Sequence, residues 1–126
     1  MYFFAYFAYI EIIHMDKLDK IFQLQEALNI RTGCNFYDIS GEEQIHWLLE
    51  LTRALQQETA ELVDTVPWKW WKKHQLCDLE HAKEELIDIL HFVICLAQAL
   101  GMDADALFKK YTEKNHTNHQ RQDNGY

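Results

Sequence analysis

Residues 78–100 read DLEHAKEELIDILHFVICLAQAL. Leu86, Ile87, Ile89, Leu90, Val93, Ile94, Leu96 and Ala97 recur at helical spacing and cover more than half of a helix's circumference. Phe92, Cys95 and Ala99 extend the apolar surface over most of what remains. A helix this apolar packs on more than one side, and in so short a chain that implies cover from a partner subunit. Asp78 predicts the start of the helix and Gly101 its stop. Two acids, Glu85 and Asp88, share the face of Phe92, Cys95 and Ala99.

Upstream, Ser40 reads as the cap of a second long helix, with Glu43 completing a capping box, and Pro67 forbids continuation beyond about Val66. Trp47, Leu51, Ala54, Leu55, Glu58, Glu61, Leu62 and Thr65 share one of its faces. Asp16 caps a helix that runs to about Arg31, and Thr32 to Gly41 is a loop. Between the two acid-bearing helices lies the connector PWKWWKKHQ, Pro67 to Gln75. Asp103 caps a fourth helix carrying Leu107, Phe108 and Tyr111, expected to fray after Lys114. Four helices joined by short loops predict an all-α domain of the four-helix-bundle type, completed by oligomerisation.

The 126 residues suffice for one core, and 48% hydrophobic content with only four Gly and one Pro fits a folded helical chain. A formal charge of −8 argues against nucleic-acid binding, which needs a basic surface. Cys34, Cys77 and Cys95 form no CxxC pair, and an odd count fits a reducing, cytoplasmic setting. The opening MYFFAYFAYIEIIH, residues 1–14, is apolar but too short to span a bilayer and lacks a signal peptide's basic flank. It reads as a membrane-touching segment, as an element packing on a partner, or as an extension upstream of a natural start at Met15. The extension is preferred, which leaves 15–126 as the domain and no membrane expected.

The couplets Glu58-x-x-Glu61 and Glu85-x-x-Asp88 each set two carboxylates one turn apart on an apolar face. Burying carboxylates unpaired is costly, and a divalent cation is the simplest compensation. Oxygen ligands suit Mg²⁺, with Mn²⁺ as a substitute, and Mg²⁺ commonly takes substrate phosphates as further ligands. The chemistry this points to is metal-assisted attack of water on a phosphate chain, with one carboxylate accepting the proton. With 20 acids in the chain, chance surface couplets are the competing explanation. Gln25 and Asn29 fall on the buried stripe of the first helix with Leu18, Ile21 and Phe22. Their amides match the edge of a base, or are simply satisfied by backbone or water. Trp68, Trp70 and Trp71 among Lys69, Lys72 and Lys73 suit either base stacking and phosphate or a subunit interface. Tyr111, Lys114, Asn115, Asn118, Arg121 and Gln122 form a polar face without apolar backing, either a phosphate- and sugar-binding strip or a solvated tail.

These blocks together resemble the all-α nucleoside triphosphate pyrophosphatases, the MazG-like superfamily, whose signature is ExxE followed after a spacer by ExxD. Within it the chain is most similar to the dimeric dUTPases. The likeness rests on LQEALN (Leu24 to Asn29), ETAELVD (Glu58 to Asp64), WKWWK (Trp68 to Lys72), EELIDILHF (Glu84 to Phe92) and YTEKNHTNHQRQDNGY (Tyr111 to Tyr126). The resemblance implies a Mg²⁺-dependent homodimer or higher homo-oligomer that converts dUTP to dUMP and pyrophosphate, sanitising the nucleotide pool and supplying dUMP. Glu58, Glu61, Glu85 and Asp88 would then be metal ligands, with Glu58 activating water. Gln25 and Asn29 would read the base. Lys114, Asn118, Arg121, Asn124 and Tyr126 would contact the nucleotide, together with Trp68, Lys69 and Trp71 of the connector. The chain departs from the family in lacking a long helical insertion before its tail, and in carrying Gln57 where many members place Glu.

Two rival readings remain at this level: a MazG-like pyrophosphatase for another or damaged nucleotide, and a catalytically silent helical module that binds a nucleotide or protein.

Overall fold

A computed structural model describes residues 15–126, so the expectations for 1–14 lie outside the described residues. Four helices follow in order: α1 (Lys17–Arg31), α2 (Gly41–Asp64), α3 (Leu79–Ala99) and α4 (Ala104–Asp123), with a 3₁₀ turn at Phe36–Asp38. There is no strand among the described residues, so the fold is all-α.

The ends form largely where the sequence puts them. Asp16 accepts from the backbone N–H of Asp19 while the Asp19 carboxylate accepts from that of Asp16, a reciprocal cap on α1. Asp78 and Asp103 cap α3 and α4 by accepting from the N–H groups of His81 and Ala106. The expected box at Ser40 does not form. Gly41, the first residue of α2, stands in the left-handed region at φ 58°, and Ser40 makes no side-chain capping bond. α2 ends at Asp64, two residues early, where the Thr65 hydroxyl donates to the Leu62 carbonyl. α4 does not fray after Lys114 but continues to Asp123, with Asn124 as its C-cap and the Tyr126 N–H donating to the Arg121 carbonyl.

α3 is the central helix, and α2 packs along it more extensively than any other pair of elements. One side of α3 gives Ile94 and Ala97 to a cluster with Phe22 of α1 and Ala104 of α4, flanked by Leu18, Met102 and Leu107. Another side gives Cys95 and Ala99 to a cluster with Phe36 and Leu51, flanked by Trp47 and Phe92. The two clusters account for the need of α3 to pack on several sides, yet Leu86 (55% exposed) and Ile87 (50%) still face solvent. The backbone N–H of Asp78 donates to the Thr65 carbonyl at 2.8 Å, which closes the connector into a loop at the base of α2 and α3. At the other end α3 and α4 meet at Gly101 (φ 73°) with a bend of 103°. No single helix among the described residues is long and apolar enough to cross a membrane.

Candidate active site

The antiparallel packing of α2 on α3 brings Glu58, Glu61 and Glu85 together, with one carboxylate oxygen of each within 4.8 Å of the others. Glu85 is buried, Glu58 half-buried and Glu61 exposed. Glu58 Oε2 and Glu85 Oε2 are buried and have no hydrogen-bond partner. Burial, a hydrogen bond to Glu61 and the neighbouring charges of Glu61, Asp88 and Glu85 push the Glu58 carboxyl from 4.5 up to about 7. Asp88 lies outside the tight trio but lines the same cleft as Glu58. An all-oxygen cradle with two orphaned buried acceptors fits a hard divalent cation, with Glu58, Glu61 and Glu85 holding it and Asp88 adjacent.

From the acids a cleft of about 530 Å³ runs up toward α1. Its walls are Phe36, Trp47, Leu51, Phe92 and Cys95, and its far end is Gln25 and Asn29. The rings of Phe36 and Trp47 meet edge to face at 5.3 Å. A cavity with acids at one end, an aromatic wall and amides at the other has the size and polarity for a small ligand. Gln25 and Asn29, on one helix, and Glu58 and Asp88, on two others, thus reach one site.

Other expected residues stand elsewhere. The Trp68 indole N–H donates to Asp64 at 2.9 Å, and Lys69 lies 5.5 Å from the Trp68 ring. Gln75 fastens the loop, accepting from the Lys69 N–H and donating to the Lys69 and Lys72 carbonyls. The connector therefore sits at the acidic end of the bundle, but Trp68, Lys69 and Trp71 do not line the cleft. In the tail, Asn118, Arg121 and Tyr126 border a separate depression of about 350 Å³, with the Arg121 guanidinium 5.6 Å from the Tyr126 ring. Lys114 and Asn124 are exposed outside it. The side-chain hydrogen bonds of α4 stay within its own segment, and no tail residue lines the acidic cleft.

Three residues join the site that the sequence reading passed over. His81 Nε2 meets Glu85 Oε1 at 2.6 Å, one turn before the acid. His91, one turn after Asp88, presents Nδ1 to Gln25 Oε1. Gln98 is 1% exposed and accepts from Asn29 at 2.9 Å. The signal for Gln98 was there: it is the one polar side chain between Phe92 and Leu100.

The family model described as dUTPase matches this chain over residues 17–99 and 93–126. A dCTP pyrophosphatase of Enterobacteria phage T4 is 30% identical over 138 aligned positions, covering 89% of this chain and 80% of that protein. A dCTP pyrophosphatase of Enterobacteria phage LZ5 is 34% identical over 108 positions, covering 67% of this chain and 63% of that protein. A DNA replication protein of phage T4 is 27% identical across 80% of this chain, which spans 32% of that longer protein. No solved structure matches.

Proposed function

This chain belongs to the dimeric all-α dUTPase family, and from that premise we propose that it hydrolyses dUTP to dUMP and pyrophosphate with the help of Mg²⁺. The coarser activity, a nucleoside triphosphate pyrophosphohydrolase, follows from the family and its phage relatives. The observation that carries the finer reading is one cleft with Glu58 and Asp88 at one end, Glu58 being shared with the Glu58–Glu61–Glu85 trio, and the Gln25–Asn29 amides at the other. Mg²⁺, or Mn²⁺ in its place, would supply charge neutralisation on the phosphate chain and an acidified water.

The chain's own residues do the rest. Phe36 and Trp47 exclude water from the base, and the amides of Gln25 and Asn29 orient it. Glu58, as its carboxylate, takes the proton of the attacking water as the α–β phosphoanhydride bond breaks and pyrophosphate leaves. Lys114 and Arg121, whose tail does not line the cleft in the single chain, would supply charge-assisted contacts to phosphate once nucleotide is bound, with Asn118, Asn124 and Tyr126 beside them. Trp68, Lys69 and Trp71 close the acidic end.

The working form in this reading is a homodimer or higher homo-oligomer. A groove of about 300 Å³ between α1 and α3, lined by Ile21, Leu24, Ile87 and Leu90, leaves Leu24 59% exposed, which supports a second copy seated there. The groove shares Gln25 and His91 with the cleft, so a second copy would also bring new surface to the site.

The names of the two phage relatives favour a second reading, the same reaction on dCTP. Pyrophosphate release from a panel of dNTPs and NTPs, with Mg²⁺ and with excess chelator, tests both. Metal-dependent turnover led by dUTP is the expected result. A lead for dCTP moves the protein to the second reading, and no turnover by a folded sample overturns both.

A further inference from the structure

The amides at the head of the cleft do not stand alone. Gln98 Nε2 donates to the backbone carbonyl of Phe22 at 3.0 Å. Gln98 Oε1 accepts from Asn29 Nδ2 at 2.9 Å, and Asn29 Oδ1 accepts from Gln25 Nε2 at 2.9 Å. Asn29 Oδ1 also accepts from the Cys95 thiol at 3.4 Å. Gln25 Oε1 ends the row against His91 Nδ1. All three amide side chains are buried, Gln98 most deeply.

We propose that Gln98 is a positioning residue for base recognition: by donating to the Phe22 carbonyl it fixes which way the amides of Asn29 and Gln25 face, and so which groups they offer to a base. The inference rests on reading the cleft as the nucleotide site.

Donor and acceptor chemistry fixes the direction of the row. A carboxamide can present either end to a neighbour, but a backbone carbonyl can only accept. Gln98 must therefore turn its NH₂ to Phe22, which leaves its oxygen for Asn29. Asn29 must then present its NH₂ to Gln98 and its oxygen to Gln25, and Gln25 must do the same one step further along. His91 closes the row as a donor, with its proton on Nδ1. Turning any one amide would set two acceptors or two donors against each other in a buried place, so the row turns only as a whole, and the Phe22 carbonyl forbids that.

The direction has a chemical consequence for the ligand. Both acceptor positions of Asn29 Oδ1 are taken, by Gln25 and Cys95. Toward the cleft Asn29 is thus a donor only, through its second N–H. Gln25 offers its second N–H and one remaining lone pair. A base edge with a carbonyl or ring-nitrogen acceptor opposite Asn29 is satisfied, and one with a donor there meets an unpaired N–H.

Gln98→Met removes the anchor at nearly constant volume and leaves the acids untouched. The test measures kcat and KM for dUTP, dCTP and dTTP, with calorimetric binding of the three monophosphates and a thermal melt as the folding control. In a folded Q98M, the kcat/KM preference for the best base over the next should fall about tenfold, carried by KM, because Asn29 and Gln25 then offer either end. The kcat for the best substrate should stay within about threefold, since the acids are unchanged.

An unchanged preference, or an equal loss for all three bases carried by kcat, overturns the proposal, as does a wild type that treats the three bases alike. Gln98→Leu, of a different shape but equally without a donor for the Phe22 carbonyl, keeps the proposal testable should Q98M fail to fold. The same fall in base preference is expected, and an unchanged preference in a folded Q98L overturns the proposal. A wild type that neither binds nor hydrolyses any nucleotide defeats the functional reading instead, and that is visible before either variant is compared.

Discussion

Glu58 and Glu85, on separate helices, bring carboxylate oxygens within 4.8 Å of one another, and Oε2 of each is buried without a hydrogen-bond partner. Such an arrangement is unfavourable to the empty protein and favourable to a cation. Glu58→Gln removes one ionisable acid from the trio while keeping the side chain's shape. It should raise the melting temperature of the metal-free protein by about 3–5 °C, on the order of 1 kcal/mol. The same change should lower turnover at least a hundredfold, the usual scale for a lost general base. Calorimetry and the pyrophosphate assay read the two effects, and an E58Q protein with normal turnover removes Glu58 from the chemistry.

The raised Glu58 carboxyl makes stability depend on pH with a definite sign. Its folded value, about 7, lies above its ordinary 4.5, so the folded state holds the proton more tightly. That stabilisation is fully present below about 4.5 and is lost as pH rises through about 7. Metal-free melting temperature should therefore fall across this window. Mg²⁺ should raise it more at pH 8 than at pH 5, because at pH 5 the ion must displace a proton. An equal Mg²⁺ shift at both pH values would show that the ion binds elsewhere.

The tail of α4 hydrogen-bonds only within its own segment. Truncation after Lys114 should leave the melting temperature within about 2 °C of wild type, since the core clusters end at Leu107. Substrate turnover should nonetheless be lost, as it should in Arg121→Ala, if the tail grips phosphate. A truncated protein with full activity would make the tail a solvated end.

Leu24 and Ile87 face the open groove between α1 and α3. The double change Leu24→Lys, Ile87→Lys should halve or further reduce the mass measured by light scattering while leaving helicity unchanged. An unaltered mass would place the subunit interface on another face.

Much of this was legible beforehand because local patterns decide it. The acids of α2 and α3 repeat at one-turn spacing beside apolar residues, so period alone aligns them, and the caps at Asp16, Asp78 and Asp103 are short-range chemistry. Ser40 has the chemistry of a cap, but a cap also needs a backbone geometry that a left-handed Gly41 does not give. The length of α4 differs from the expectation because a polar sequence does not by itself end a helix. Gln98 and His91 escaped notice for a different reason. Their partners Asn29 and Gln25 lie on α1, far away in sequence, and no spacing rule reaches across that distance.

The clasp from the Asp78 N–H to the Thr65 carbonyl also bears on the order of assembly. All four acids lie on one contiguous helical hairpin, residues 41–99, whose loop is closed by that bond and by Gln75. Short-range contacts form quickly, whereas the Phe22–Gln98 and Asn29–Gln98 bonds must close most of the chain. The four acids can thus be brought together by the hairpin alone, whereas the base reader also needs α1 in place. Base discrimination therefore depends on the docking of α1 onto α3, a contact held across the length of the chain, while the gathering of the acids depends only on neighbours within the hairpin.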